Sequence, residues 1–378
     1  MKTLILMIQA LVLMGFLSGC GSDDNGSSPG SSDDIGAPNQ NHIGWAVGSS
    51  ADGYGTIIHT TNSGKTWKRE GNSTTIPDAQ MNDVAAVDQL NVWAVGESSP
   101  IINGPSYGTI LHSSDAGKSW ERQGTPESIP DAGFGGISAV NSQVAWVAGG
   151  AVGGAGLIMY TDDGGSHWTQ QAEGNFPDTD LEMISAADKD NVWVVGSISS
   201  GGNTSAFIAR TTDGGETWEQ VSVNFLLNKL GLIDVHAVTA DIIWAVGTDG
   251  TVAITIDGGE TWVDNGPPVG PMHINGVCAL DDKRAWVAED GSNVFYTSDG
   301  GVSWTKQQGP KDNTDAPGVS SAYMGLTATS KHKVWLVGFG MPPNAVISHT
   351  VNGGKKWTDQ SPSGIAALRR VSFVGDVK

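Results

Sequence analysis

The sequence predicts an all-β chain: a seven-bladed β-propeller of four-stranded antiparallel blades, closed by pairing of the C-terminal strand with the N-terminal blade. Three observations predict it. The phrase Trp-Ala-Val-Gly, or a near variant, occurs seven times, at Trp45, Trp93, Trp146, Trp193, Trp244, Trp286 and Trp335. A turn of the form Thr-x-Asp-Gly-Gly-x-x-Trp follows each phrase, ending at Trp67, Trp120, Trp168, Trp218, Trp262, Trp304 and Trp357. Phrases and turns together use all 14 tryptophans, so tryptophan here is architectural. A period of 42 to 53 residues, rich in glycine and without a long helical hydrophobic repeat, is that of a propeller blade.

Each unit reads as four short strands. The first alternates, as in Val84–Val87 or Ile137–Val140; the Trp-Ala-Val-Gly phrase is the second. The third runs like Thr56–Thr60, and the turn tryptophan begins the fourth. In the turns, a short carboxylate or amide accepts backbone N–H groups while glycines supply positive φ. The residues in that role are Asn62, Asp115, Asp163, Asp213, Asp257, Asp299 and Asn352. Asparagine in two copies argues for a structural role, because a catalytic carboxylate does not tolerate that exchange. The first blade lacks its own first strand, whereas the tail 365–375 has first-strand character and no phrase behind it. The tail therefore pairs with the Trp45 strand and removes an open edge.

Composition narrows the partners. Forty acidic against 20 basic residues, a net charge of −20, exclude a nucleic-acid role, since a phosphate backbone repels such a surface. No spacing suggests a metal or a cofactor. At the N-terminus, Lys2 and the apolar run Leu4–Phe16 are followed by Leu17-Ser18-Gly19-Cys20. This resembles the bacterial lipobox. The resemblance implies a lipoprotein signal peptide at 1–19, an acylated Cys20 with a flexible Gly/Ser/Asp tether over 20–41, and a propeller over 42–378. Gly21 in place of aspartate implies the outer membrane, on its periplasmic or surface side. With Cys20 acylated, Cys278, inside the apolar run Val277–Leu280, reads as an inert core thiol.

The turns resemble the Asp-box, or bacterial neuraminidase, repeat. Coupled to Trp-Ala-Val-Gly in a seven-fold array, they resemble the photosystem II stability/assembly factor family over the whole of 42–378. That resemblance implies a non-catalytic scaffold that binds a protein partner of a membrane or cell-surface complex and aids its assembly. It also implies an arginine-containing basic patch, but the arginines here (Arg69, Arg122, Arg210, Arg284, Arg369 and Arg370) fall scattered over several blades.

Asp-box propellers also include sialidases and glycoside hydrolases, and the alternative reading is a polysaccharide-binding or hydrolysing propeller. The sialidase Arg-Ile-Pro motif is absent: Ile76-Pro77-Asp78 and Ile129-Pro130-Asp131 lack the arginine. A two-carboxylate hydrolase would draw on Asp78, Asp83, Asp131, Asp178, Asp180, Glu182 and Asp234. The sequence reading assigns no catalytic residue. For a partner surface it points to the loops opposite the Asp boxes, with Phe225, Leu226 and Leu230 on an apolar loop and Asp234 and His236 two apart on one strand face.

Overall fold

The computed structural model describes residues 41–374 apart from 99–107, 126, 152–153, 271, 292, 308–321 and 341–343. They form seven sheets of four antiparallel strands. The inner strands are Ala79–Ala86, Ala132–Ala139, Thr179–Ala186, Leu232–Ala237, Ile274–Ala279 and Ala322–Ala328, in blades two to seven. Blade one takes its inner strand, Leu368–Phe373, from the chain's end; it pairs with Gly44–Ala51, Trp45 opposite Ser372. The ring closes as the sequence predicts. Outer strands are only two or three residues long.

Tryptophan holds neighbouring blades together. The seven phrase tryptophans are at most 1% exposed. Each faces a third-strand residue of its own blade; where that is histidine the rings stack, as in Trp93 on His112 at 3.9 Å and Trp335 on His349 at 4.3 Å. The turn tryptophan of the following blade meets it edge-on: Trp168 against Trp93, Trp262 against Trp193, Trp304 against Trp244. The second turn glycine is needed at this seam. Gly165 and Gly259 have φ of 89° and 93°, and a Cβ there would come within 2.9 Å and 2.5 Å of Trp93 and Trp193.

The Asp-box hydrogen bonds repeat in every blade. Asp299 Oδ1 accepts the Ser303 N–H at 2.9 Å and the Thr297 hydroxyl at 2.8 Å, while Oδ2 accepts the Ser303 hydroxyl at 2.6 Å. Thr297 Oγ1 in turn accepts the Gly301 N–H at 2.9 Å. Asn62 and Asn352 make the same bond to the N–H four residues on, at 2.9 Å each. The hydroxyl and N–H of that residue hold Asp213 and Asp257 down at about 2. Asp299→Ala should therefore lower the melting temperature and Asp299→Asn should leave it nearly unchanged, read by thermal denaturation; equal losses would contradict the role of the turn acceptor.

Cys278 is buried, as the apolar run around it implies. Among the described residues no helix is long and apolar enough to cross a membrane, and no group of three or more His, Cys, Asp or Glu is placed to hold a metal ion.

Candidate functional site

Every inner strand carries one β-bulge, at the same place in all seven blades. The register skips between Met81 and Asp83, Phe134 and Gly136, Leu181 and Met183, and at the matching positions of the remaining blades. A bulge leaves one residue outside the ladder and re-aims its side chain. The residues so released are Asn82, Gly135, Glu182, Ile233, Asn275, Met324 and Arg369. All seven line one cavity of about 420 Å³ in the central channel.

The bulge accounts for the last residue of the Trp-Ala-Val-Gly phrase. At Gly48, Gly96, Gly149, Gly196, Gly247 and Gly338, a Cβ would overlap a backbone carbonyl of the adjacent inner strand, just before its bulge. The glycine makes room for the bulge, and the bulge delivers a side chain to the channel. Blade six has Glu289 at this place, itself buried.

The cavity mouth is polar and of mixed charge. Glu97 and Glu182 stand near Arg369, with Asp180 beside Glu182, while blade three contributes only Gly133, Gly135 and Gly150. The ring of side chains is thus open at blade three, a backbone-lined slot between carboxylates of blades two and four. Burial, then the charge of Asp180, raise the Glu182 carboxyl, against the pull of Arg370 and Arg369. Burial and the neighbouring Arg370 lower Arg369. Asn82 and Asn275 donate to Phe134 O at 2.9 Å and Tyr323 O at 3.0 Å, each fastening its bulge to the next blade.

Beneath the mouth lies a buried charge cluster. Asp83 Oδ2 accepts the Ile137 N–H and Asp234 Oδ2 the Val277 N–H, both at 2.9 Å, so each carboxylate spans to the following blade. Their second oxygens accept the N–H of Val84 and Val235. Arg370, at the equivalent position of the closing strand, donates to Met324 O and lies 3.9 Å from Asp234 Oδ1. Burial raises Asp83 to about 7 and raises Asp234 as well, with Arg370 opposing both. These two carboxylates are struts in the channel wall, with both oxygens occupied.

The fold corrects several expectations. Leu226 is 2% exposed and belongs to the core between blades four and five, on a short 3-10 turn over Asn224–Asn228. Phe225 is half-buried against the same core; Leu230, at 59% exposed, is the one apolar residue of the three that faces solvent. The loop folds inward because Val223 and Leu226 pack into the core shared by blades four and five. Asp234 and His236 are buried in the wall, not at the mouth. His236 occupies a position where Ser138, Ser185 and Ser372 accept an N–H of the next blade. Burial lowers it to about 4, and its Nε2 has no hydrogen-bond partner among the described residues. The arginines are less scattered than the sequence suggested, for Arg369 and Arg370 enter the channel together. One signal could have found the ring: in six blades the bulged residue stands eleven positions before the phrase tryptophan, as Asn82 before Trp93.

Residues 186–369 match the DUF6242 beta-propeller domain family. Over 295 residues the chain is 25% identical to the photosystem II stability/assembly factor HCF136, chloroplastic, of Arabidopsis thaliana, covering 71% of this chain and 67% of that one. The likeness is to an assembly factor. Among solved structures, YCF48 bound to D1 peptide superposes with a TM-score of 0.56 at 16% identity, over 79% of this chain and 93% of that chain. The GH74 xyloglucanase of Xanthomonas campestris also superposes, with a TM-score of 0.56 at 11% identity, over 86% of this chain and 55% of that chain. At these identities the superpositions show the shared propeller fold.

Proposed function

We propose that this chain is a non-catalytic envelope lipoprotein whose propeller binds a protein partner at the channel mouth and aids the assembly or stability of a membrane or surface complex. The observation that carries this reading is the bulge ring. One backbone device, repeated seven times, delivers side chains of both charges, amides and apolar groups to a single cavity, and leaves a glycine slot at blade three. Such a mixed, concave surface suits a protruding peptide segment with its own charges. The likeness to an assembly factor, and a peptide-bound propeller among the structural neighbours, support the same reading. Asp83 and Asp234 each accept two backbone N–H groups, one of them from the following blade, which supports a structural role for this pair. The experiment that tests this function is cross-linking from the channel to the partner in the native envelope.

Anchoring is the second part of the proposal. Cys20 and the tether lie outside the described residues, and the lipobox sequence Leu17-Ser18-Gly19-Cys20 is what supports acylation. Cys20→Ala should move the protein out of the membrane fraction with the propeller still folded. A variant that stays in the membrane fraction by a salt-resistant association would contradict the anchor.

A further inference from the structure

One sector of the Asp-box face differs in charge from the rest of that face. The Asp-box turns share a face with the turns that join first to second strands, as the Gly353 N–H donating to His332 O illustrates. The described chain also starts on this face: the Ser63 N–H in the first Asp box donates to His42 O, and the His42 N–H donates to the Ser63 hydroxyl at 2.8 Å. In blades seven and one the turns of this face run Ala328–Lys333, Val351–Lys356 and Thr61–Thr66. They hold Lys65, Lys331, Lys333, Lys355 and Lys356 and not one carboxylate. Asn62 and Asn352, the two boxes without aspartate, lie in these same two blades. In an acidic chain with aspartate in its other five boxes, these three turns hold lysines and, among the described residues, no carboxylate.

The sector is continuous across the blade boundary. Lys333 Nζ lies 2.8 Å from His42 Nε2, and Trp335 Nε1 donates to Ser63 O. Lys65, Lys355 and Lys356 are exposed, and Val351 beside them is 63% exposed. A cluster of lysines around one apolar side chain, at the point where the N-terminal segment meets the ring, has the chemistry of a surface that rests on lipid headgroups.

We infer that the Asp-box face of blades seven and one docks on an anionic phospholipid surface, so that the channel mouth on the opposite face points away from the membrane. The net charge of −20 does not forbid it. At physiological ionic strength charges are screened over about 8 Å, so the nearest lysines decide the contact rather than the whole-chain charge. The orientation rests on the acylation proposed above; the lipid contact does not, because its lysines all lie on the ring.

The test keeps the two apart by using the chain from residue 21 onward, which has neither the apolar run Leu4–Phe16 nor Cys20, and comparing its binding to phosphatidylglycerol vesicles with its binding to phosphatidylcholine vesicles. Each lysine near an anionic surface contributes about a five-fold gain, so preference for phosphatidylglycerol should be at least about ten-fold and should fall with added salt. Adding Lys65→Glu, Lys355→Glu and Lys356→Glu, all exposed and unneeded for the turn bonds, should abolish the preference at an unchanged melting temperature. Equal binding to both vesicles, or a preference that survives the triple change, would overturn the lipid contact. So would unchanged vesicle binding together with loss of an acidic protein partner. Failure of the anchor alone would appear differently, as a wild-type chain without acyl mass that still prefers phosphatidylglycerol.

Discussion

A chain ending at Ala367 should lose its cooperative thermal transition. It lacks the closing strand, and with it Leu368, Val371 and Phe373, each less than a tenth exposed in the ring. At roughly 1.5–3 kcal/mol for each buried side chain, that loss is about 5–9 kcal/mol. A domain's whole stability is about 5–15 kcal/mol, so the shortened ring has little left. The edge of the Gly44–Ala51 strand is exposed besides, which invites aggregation. Near-ultraviolet circular dichroism, dominated here by tryptophan, reads the outcome. A normal melting transition in the shortened chain would contradict closure by this strand.

Arg370→Met should destabilise by ~3–5 kcal/mol at alkaline pH, since it leaves Asp83 and Asp234 buried without a counter-charge. The sign of the pH dependence follows from the raised pKa of Asp83. A carboxyl whose folded pKa lies above its unfolded value favours the fold fully below the unfolded value, and that contribution is lost as pH rises through about 7. Removing Arg370 enlarges the loss, so the deficit of the variant should grow from pH 5 to pH 9. Burial lowers His112, His236 and His349 to about 4, and they act oppositely: their contribution is present above the unfolded histidine value and fades as pH falls toward 4. Because wild type and variant share those histidines, the difference between the two melting curves isolates the channel cluster. Asp83→Asn with Asp234→Asn in the Arg370→Met background should restore much of the loss. A deficit that shrinks with rising pH would exclude the ion cluster as its cause.

Sequence patterning carried the architecture because its determinants are local. Seven phrases, seven turns and one displaced strand already define blade number and closure, and the structure places them accordingly. Alternation marks only the end of each inner strand: of Val84–Val87, residues 84–86 close a strand that begins at Ala79. The bulge at Asn82 breaks the two-residue alternation, so the upstream half does not look like a strand. The same break hid the channel ring, although the constant spacing to the phrase tryptophan was available. Phe225-Leu226 misled for the opposite reason. An apolar loop between polar stretches looks like a binding surface, but Leu226 closes the gap between two blades. Arg370 meeting Asp234 across the channel is a product of ring closure, and residues 136 apart in sequence carry no local sign of it.

The central claim is that a protein partner enters the channel from the mouth. It is tested most directly by placing a photo-reactive amino acid at position 324, on the bulge ring, or at position 302, on the exposed tip of an Asp-box turn on the opposite face, and irradiating cells that make each variant. Binding at the mouth requires a discrete protein adduct from position 324 and none from 302. The same adduct arising from 302, with position 324 silent in a folded protein, would place the partner on the wrong face and contradict the account.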